Sequence, residues 1–190
     1  MRGLILYANG FEDTECLSTR DVLVRAGIEM VSASINDDQV VASSFGVPVL
    51  ANTLLKNIKS FDDFDFIVLP GGGRGTQNLK ESKLVENAVM EFVKKDKLIC
   101  AICAAPSVFG KYGLLKNTNY TCFAGCNEGV IGNFTGNEVE VDGNIITARS
   151  MMYSIPFALA IIEKLLGKEV KEKVLVGLKG QVAKWVISKD

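Results

Sequence analysis

Short apolar runs alternate with amphipathic stretches along this chain, and the alternation predicts its elements. Arg2-Gly3-Leu4-Ile5-Leu6-Tyr7-Ala8 reads as a first strand. Asn9-Gly10-Phe11 makes a turn. Glu12 and Asp13 suit a helix start, because carboxylates favour the positive end of the helix dipole. Leu17, Val22 and Val24 carry a helical pattern to Ala26, and Gly27 reads as its left-handed stop. Ile28–Ser34 is a second strand, so strand, helix and strand fit the size of a parallel βαβ unit.

Residues 36–52 break the alternation. Val40-Val41-Ala42 and Val47-Pro48-Val49-Leu50 flank Ser43-Ser44-Phe45-Gly46, which predicts a small antiparallel excursion with Pro48 at an edge. Phe66-Ile67-Val68-Leu69 is a buried strand, and Pro70-Gly71-Gly72-Gly73-Arg74-Gly75 follows it as a loop. Leu84, Val85, Ala88, Val89, Phe92 and Val93 form the apolar stripe of a helix over Ser82–Lys95. Leu98–Ile102 is another buried strand, leading to a helix that starts at Pro106 and stops near Tyr112-Gly113. Tyr120–Phe123 reads as a strand. Glu138–Val141 and Ile145–Ala148 flank Asp142-Gly143-Asn144, a hairpin signal. Ser154 caps a helix that runs to Leu166 and ends at Gly167, Lys168–Lys179 forms a last amphipathic helix, and the Gly180–Asp190 tail is ambiguous. No linker or repeat interrupts the chain, so residues 1–190 are expected to form one domain. Its class is α/β, a mostly parallel sheet with helices on both faces.

Composition narrows the function. The chain is 48% hydrophobic and 23% charged, enough apolar content for a packed core. A net charge of −1 without a basic block disfavours nucleic acid and anionic membranes. The apolar runs are too short for a membrane span, and the start lacks a signal-peptide layout, so a cytoplasmic location is expected. Five cysteines, an odd number, point to reduced thiols. Cys100, Cys103, Cys122 and Cys126 have spacings that imitate a four-thiolate zinc site. Cys100 and Cys103 lie three apart along an apolar strand, however, and are expected to face opposite sides. No metal or cofactor is therefore expected. The chain has no histidine, so a base must be a carboxylate, lysine, tyrosine, thiol or water.

In an α/β sheet, ligands lie beyond the carboxyl ends of the strands. Three segments meet that edge: Asn9–Glu15, Gly71–Gly75 and Cys103. Cys103 sits where a strand gives way to a helix, with Ala101 and Ala105 in the places of the glycines in a G-x-S-x-G nucleophile elbow. A helix start favours a thiolate. The plainer alternative is a small buried core residue. The glycine loop reads as a tight turn needing positive φ, or as close backbone approach to a substrate oxygen, with Gly72 and Ala104 N–H groups as an oxyanion hole. It lacks the spacing of a nucleotide-binding loop.

Leu69-Pro70-Gly71-Gly72, Gln77-Asn78-Leu79, Ala101-Ile102-Cys103-Ala104-Ala105-Pro106, Ile146-Thr147-Ala148-Arg149 and Phe157-Ala158-Leu159-Ala160 occur in that order. This set resembles the ThiJ/PfpI superfamily and, within it, the DJ-type branch that includes protein deglycases. The resemblance runs from the first strand to about Val170. It implies a flavodoxin-like sandwich and a homodimer. Cys103 matches the family's elbow cysteine, and Glu15 matches its protonated acidic partner. The residues alone do not choose Glu15 over Glu12 or Asp13. Gly71, Gly72 and Ala104 match the family's oxyanion and binding groups, and Phe123 and Arg149 line the pocket.

Three departures mark this chain. Phe123 stands where some members have a histidine. An arginine of some relatives is missing near Ser44-Phe45. Ser150-Met151-Met152 replaces the family's Gly-Pro-Gly. The resemblance implies a cysteine-dependent glyoxalase or deglycase acting on a small carbonyl compound. Two alternatives stand beside it. One is an oxidative-stress sensor or redox-dependent chaperone using Cys103 oxidation. The other is the thiazole monophosphate (thiamine) role carried by the family label.

Overall fold

The computed structural model describes residues 1–181. Seven strands form the central sheet: β1 (Arg2–Tyr7), β2 (Glu29–Ser34), β5 (Thr53–Leu54), β6 (Phe66–Leu69), β7 (Leu98–Ile102), β10 (Val139–Asp142) and β11 (Ile145–Ala148). Their order is β10-β11-β7-β6-β1-β2-β5, and only the edge strand β10 is antiparallel to its neighbour. The expected parallel α/β sheet is therefore present. The excursion is present too, as β3 (Val40–Ala42) against β4 (Pro48–Leu50), with Pro48 at the end of its edge ladder.

Helices cover both faces: α1 (Asp13–Arg25), α2 (Gly73–Glu81), α3 (Lys83–Lys94), α4 (Pro106–Lys111), α5 (Ser154–Leu166) and α6 (Lys168–Leu178). Strand side chains alternate between faces, so each strand feeds two cores. Ile5, Tyr7, Val68, Cys100, Ile102 and Ile146 pack under α1 and α5. Leu4, Leu6, Ile67, Leu69, Ile99 and Ala101 pack on the other side, under α3 and α4. Burying one such aliphatic side chain is worth about 2 kcal/mol, which makes the double-faced strands the main source of cohesion.

Some boundaries differ from the sequence reading. The strand expected at Tyr120–Phe123 is reduced to β8 (Asn119–Tyr120), which pairs in parallel with β9 (Asn133–Phe134). It stops because the Thr121 N–H donates to the Thr147 hydroxyl, a side chain rather than a strand backbone. Part of the glycine loop is helical, since α2 begins at Gly73. Ser154 is the first residue of α5 rather than its cap, and its hydroxyl donates back to the Met151 carbonyl. Gly27 and Gly167 do take positive φ at the ends of α1 and α5. Most of the ambiguous tail, residues 182–190, lies outside the described residues.

Candidate active site

Cys103 is the first residue beyond β7 and adopts φ 63°, a left-handed conformation that an L-residue enters at a cost of about 1–3 kcal/mol. Two backbone hydrogen bonds hold it there. The Cys103 N–H donates to the Ala148 carbonyl at 2.8 Å, and the Phe123 N–H donates to the Cys103 carbonyl at 2.7 Å. Ala105 N–H closes the turn onto the Ile102 carbonyl at 3.0 Å, and Pro106 opens α4 immediately afterwards. The strand-to-helix elbow expected from Ala101 to Pro106 is thus formed. Cys103 is partly exposed, whereas Cys16, Cys100 and Cys122 are buried.

The expectation that Cys100 and Cys103 face opposite sides does not hold. Cys103 packs against the same core cluster as Cys100, because the two-residue period of a strand ends at Ile102. Cys122 lies in the other cluster. The buried Cys100 and Cys122 are thereby placed on opposite faces of the sheet, which does not fit a shared metal. Among the described residues, no group of three or more histidine, cysteine, aspartate or glutamate side chains is arranged to hold an ion.

The first loop and the glycine loop are knitted together beside the sulfur. The Glu12 N–H donates to the Gly71 carbonyl at 3.1 Å, and the Gly75 N–H donates to the Gly10 carbonyl at 3.0 Å. Gly72 has φ 91°, and a Cβ there would fall 2.3 Å from the Gly10 oxygen. A Cβ on Gly71 would fall 2.5 Å from Glu15 Oε2 and 2.8 Å from Cys103 Cβ. Close backbone approach is therefore the reason for both glycines.

The three early carboxylates separate by position. Glu12 caps α1, its Oε2 accepting the Glu15 N–H at 2.6 Å. Asp13 is half-buried. Glu15 is 1% exposed and turns inward, where its Oε2 accepts the Gly71 N–H at 3.0 Å and its carboxyl hydrogen-bonds the Cys103 thiol. Burial, with help from the Glu12 charge, pushes Glu15 up to about 7, against the pull of its bonds to Cys103 and Gly71.

The Cys103 thiol is also raised, first by burial and then by the charge and hydrogen bond of Glu15. N–H groups of Ala104 and Gly72 donate to the sulfur and pull the other way. The sequence pointed to a thiol depressed by its helix start. Desolvation outweighs that effect here, and the Cys103–Glu15 pair keeps at least one proton through neutral pH.

The Gly71 N–H, expected among the oxyanion and binding groups, is engaged by Glu15, which leaves the Gly72 and Ala104 N–H groups at the sulfur. Phe123 reaches the elbow through its backbone, and its side chain is 50% exposed. Arg149 follows Ala148; its guanidinium donates to the Gly136 carbonyl at 3.0 Å and to the Tyr153 hydroxyl, and lies over the Tyr153 ring. A polar cleft lined by Asn9, Gly10, Ala42, Ser43, Ser44 and Arg74 was not anticipated. Its residues come from three separated segments, with no motif to join them.

The family model described as DJ-1/PfpI family matches residues 1–164, most of the chain. The chain belongs to the DJ-1/PfpI family. Some relatives are matched over nearly their whole length, whereas two homologues from Arabidopsis thaliana are matched over 38% and 44% of theirs. Protein dj-1beta of Drosophila melanogaster is 37% identical over 178 residues, covering 92% of this chain and 95% of that protein. Glutathione-independent glyoxalase DJR-1.2 of Caenorhabditis elegans is 30% identical over 175 residues, covering 90% of this chain and 92% of that protein. Among solved structures, the DJ-1 superfamily protein STM1931 from Salmonella typhimurium superposes with a TM-score of 0.89 at 30% identity, covering 96% of this chain and 99% of that one. The flavodoxin-like architecture is thus shared with its DJ-1 neighbours.

Proposed function

We propose that this chain is a cysteine-dependent glyoxalase or deglycase-like enzyme acting on small reactive dicarbonyls or their adducts. The observation that carries the reading is the hydrogen-bonded pair of a partly exposed Cys103 and a buried Glu15. Its similarity to a relative named as a glutathione-independent glyoxalase supports the substrate class.

In the reactive form the proton sits on Glu15 and the negative charge on Sγ. Sγ attacks the aldehyde carbon of methylglyoxal, and the carbonyl electron pair moves to oxygen. Gly72 and Ala104 N–H groups, which face the sulfur, stabilise that oxygen until it takes the Glu15 proton and becomes a hemithioacetal. The Glu15 carboxylate then removes the C1 hydrogen as a proton and returns it to C2. C1 is thereby oxidised to a thioester while the neighbouring ketone is reduced to an alcohol. Water adds to the thioester, the C–S bond breaks, and lactate leaves with the thiol restored. Methylglyoxal plus water gives lactate, with no external redox partner. Purified Cys103→Ser should turn over methylglyoxal no faster than the buffer does; turnover at the wild-type rate would overturn the reading.

A redox-sensing or chaperone role has its own support in the same pair. A protonated Glu15 can donate to a Cys103 sulfinate, which would favour oxidation at this sulfur over the buried thiols. Mild peroxide followed by peptide mapping should place the added oxygens on Cys103, and oxidation spread evenly over all five cysteines counts against it. A homodimer and a cytoplasmic location rest on the family resemblance and the sequence reading. Light scattering on the purified chain tests the first. Among the described residues, no helix is long and apolar enough to cross a membrane.

A further inference from the structure

The polar cleft beside the glycine loop has a volume of about 270 Å³. Among the described residues that line it, Arg74 alone is charged. Arg74 is exposed, and no described carboxylate forms an ion pair with it, unlike Arg2 with Glu29 or Arg25 with Asp21.

The neighbouring polar groups have their accepting sides occupied. Asn9 Oδ1 accepts the Ala42 N–H at 3.0 Å, which leaves the amide NH2 as a donor. Ser43 Oγ accepts the Val47 N–H at 3.0 Å, which leaves its O–H as a donor. Ser44 is the exception, because its hydroxyl donates to the Gly10 carbonyl at 2.8 Å. A cleft that offers a guanidinium, an amide NH2 and a hydroxyl suits an anion.

The cleft and the sulfur are linked through two touching glycines. Gly72, whose N–H donates to Cys103, lies directly on the Gly10 carbonyl, and Gly10 lines the cleft. Arg74 packs on the same residue, since a Cβ on Gly10 would fall 2.7 Å from Arg74 Cβ. Two peptide links separate Gly72 from Arg74, so their Cα atoms are at most about 8 Å apart.

We propose that Arg74, with Asn9 and Ser43, anchors an anionic group carried a few bonds from the carbonyl that Cys103 attacks. The preferred substrates are then α-ketoaldehydes bearing a carboxylate or a phosphate, rather than neutral ones. This inference rests on the carbonyl chemistry proposed above and deepens it. Arg74 binds and selects, and takes no part in the bond changes.

The test compares three substrates on the intact chain and on Arg74→Gln: methylglyoxal, 4,5-dioxopentanoate and hydroxypyruvaldehyde phosphate. In the wild type, kcat/KM should be higher for the anionic substrates, and the excess should shrink with added salt. In Arg74→Gln, the ratio of anionic to neutral kcat/KM should fall about tenfold, mainly through KM. The dioxopentanoate and phosphate arms show which anion the cleft takes. An unchanged ratio with methylglyoxal still consumed overturns the inference and leaves the enzyme reading intact. If the wild type consumes none of the three, the enzyme reading fails instead. Calorimetry with unreactive 4-oxopentanoate then decides: weaker binding to Arg74→Gln supports the anion site, and equal binding overturns it.

Discussion

Glu15 and Cys103 are hydrogen-bonded to each other at the carboxyl end of the sheet, and burial raises the proton affinity of both. Their protons come off as a pair, and the consequences are measurable.

The pH dependence of Cys103 alkylation should show the coupling. In the wild type a first step is expected near 7, where Glu15 titrates, with the main rise at higher pH. Glu15→Gln should remove the first step and move the main rise to lower pH, because the carboxylate that opposes the thiolate is gone. Iodoacetamide rates at Cys103, followed by peptide mass, check this. Superimposable profiles would disprove the coupling.

Stability should fall with pH through the same group. An unfolded Glu15 releases its proton near 4.5, whereas the folded one holds it to about 7. Between those values the folded state binds more protons, so its stability drops as pH rises, by about 3 kcal/mol in all. The contribution is complete below pH 4.5 and gone above 7. Urea unfolding of Glu15→Gln should therefore show a gain over wild type at pH 8 that shrinks at pH 5. A pH-independent difference would argue against a buried, protonated carboxyl.

Gly72 and Gly27 both have positive φ, but only Gly72 is crowded. A Cβ on Gly72 meets the Gly10 oxygen at 2.3 Å, while nothing lies within 4 Å of one on Gly27. Gly27→Ala should cost about 1 kcal/mol from backbone strain alone. Gly72→Ala should cost at least twice that and slow Cys103 alkylation. Chemical denaturation of the two variants makes the comparison.

The elbow reverses the usual order of alanine and glycine. At φ 63°, Cys103→Ala keeps the strained backbone and Cys103→Gly relieves it. The glycine variant should be the more stable of the two by about 1 kcal/mol. Matched thermal melts would show it, and an alanine variant ahead of glycine would mean that the turn is unstrained.

Local signals made much of this legible in the sequence. Apolar runs buried on both faces announce β1, β6 and β7, and the small residues around Cys103 announce a turn too tight for bulk. Glu15 could not be chosen from its own neighbourhood. Glu12, Asp13 and Glu15 all suit a helix start, and what separates them is the distant Gly71 N–H that Glu15 accepts. Helix α2 was hidden by Gly73 and Gly75, both poor helix formers; Gly10 and Phe11 crowd Gly75, whereas nothing crowds Gly73. The two-residue β5 carries too few side chains to show a period. Arg74 reaches the ligand edge with the glycine loop, but its cleft is not legible, because it is assembled from segments at least 30 residues apart.

The elbow is clamped by two remote partners, Ala148 on one side and Phe123 on the other. A ribosome-bound chain that has made Phe123 but not yet Ala148 can form only half of the clamp. The geometry of this position is therefore completed only by a strand about 45 residues downstream, after most of the strands of the sheet have been made.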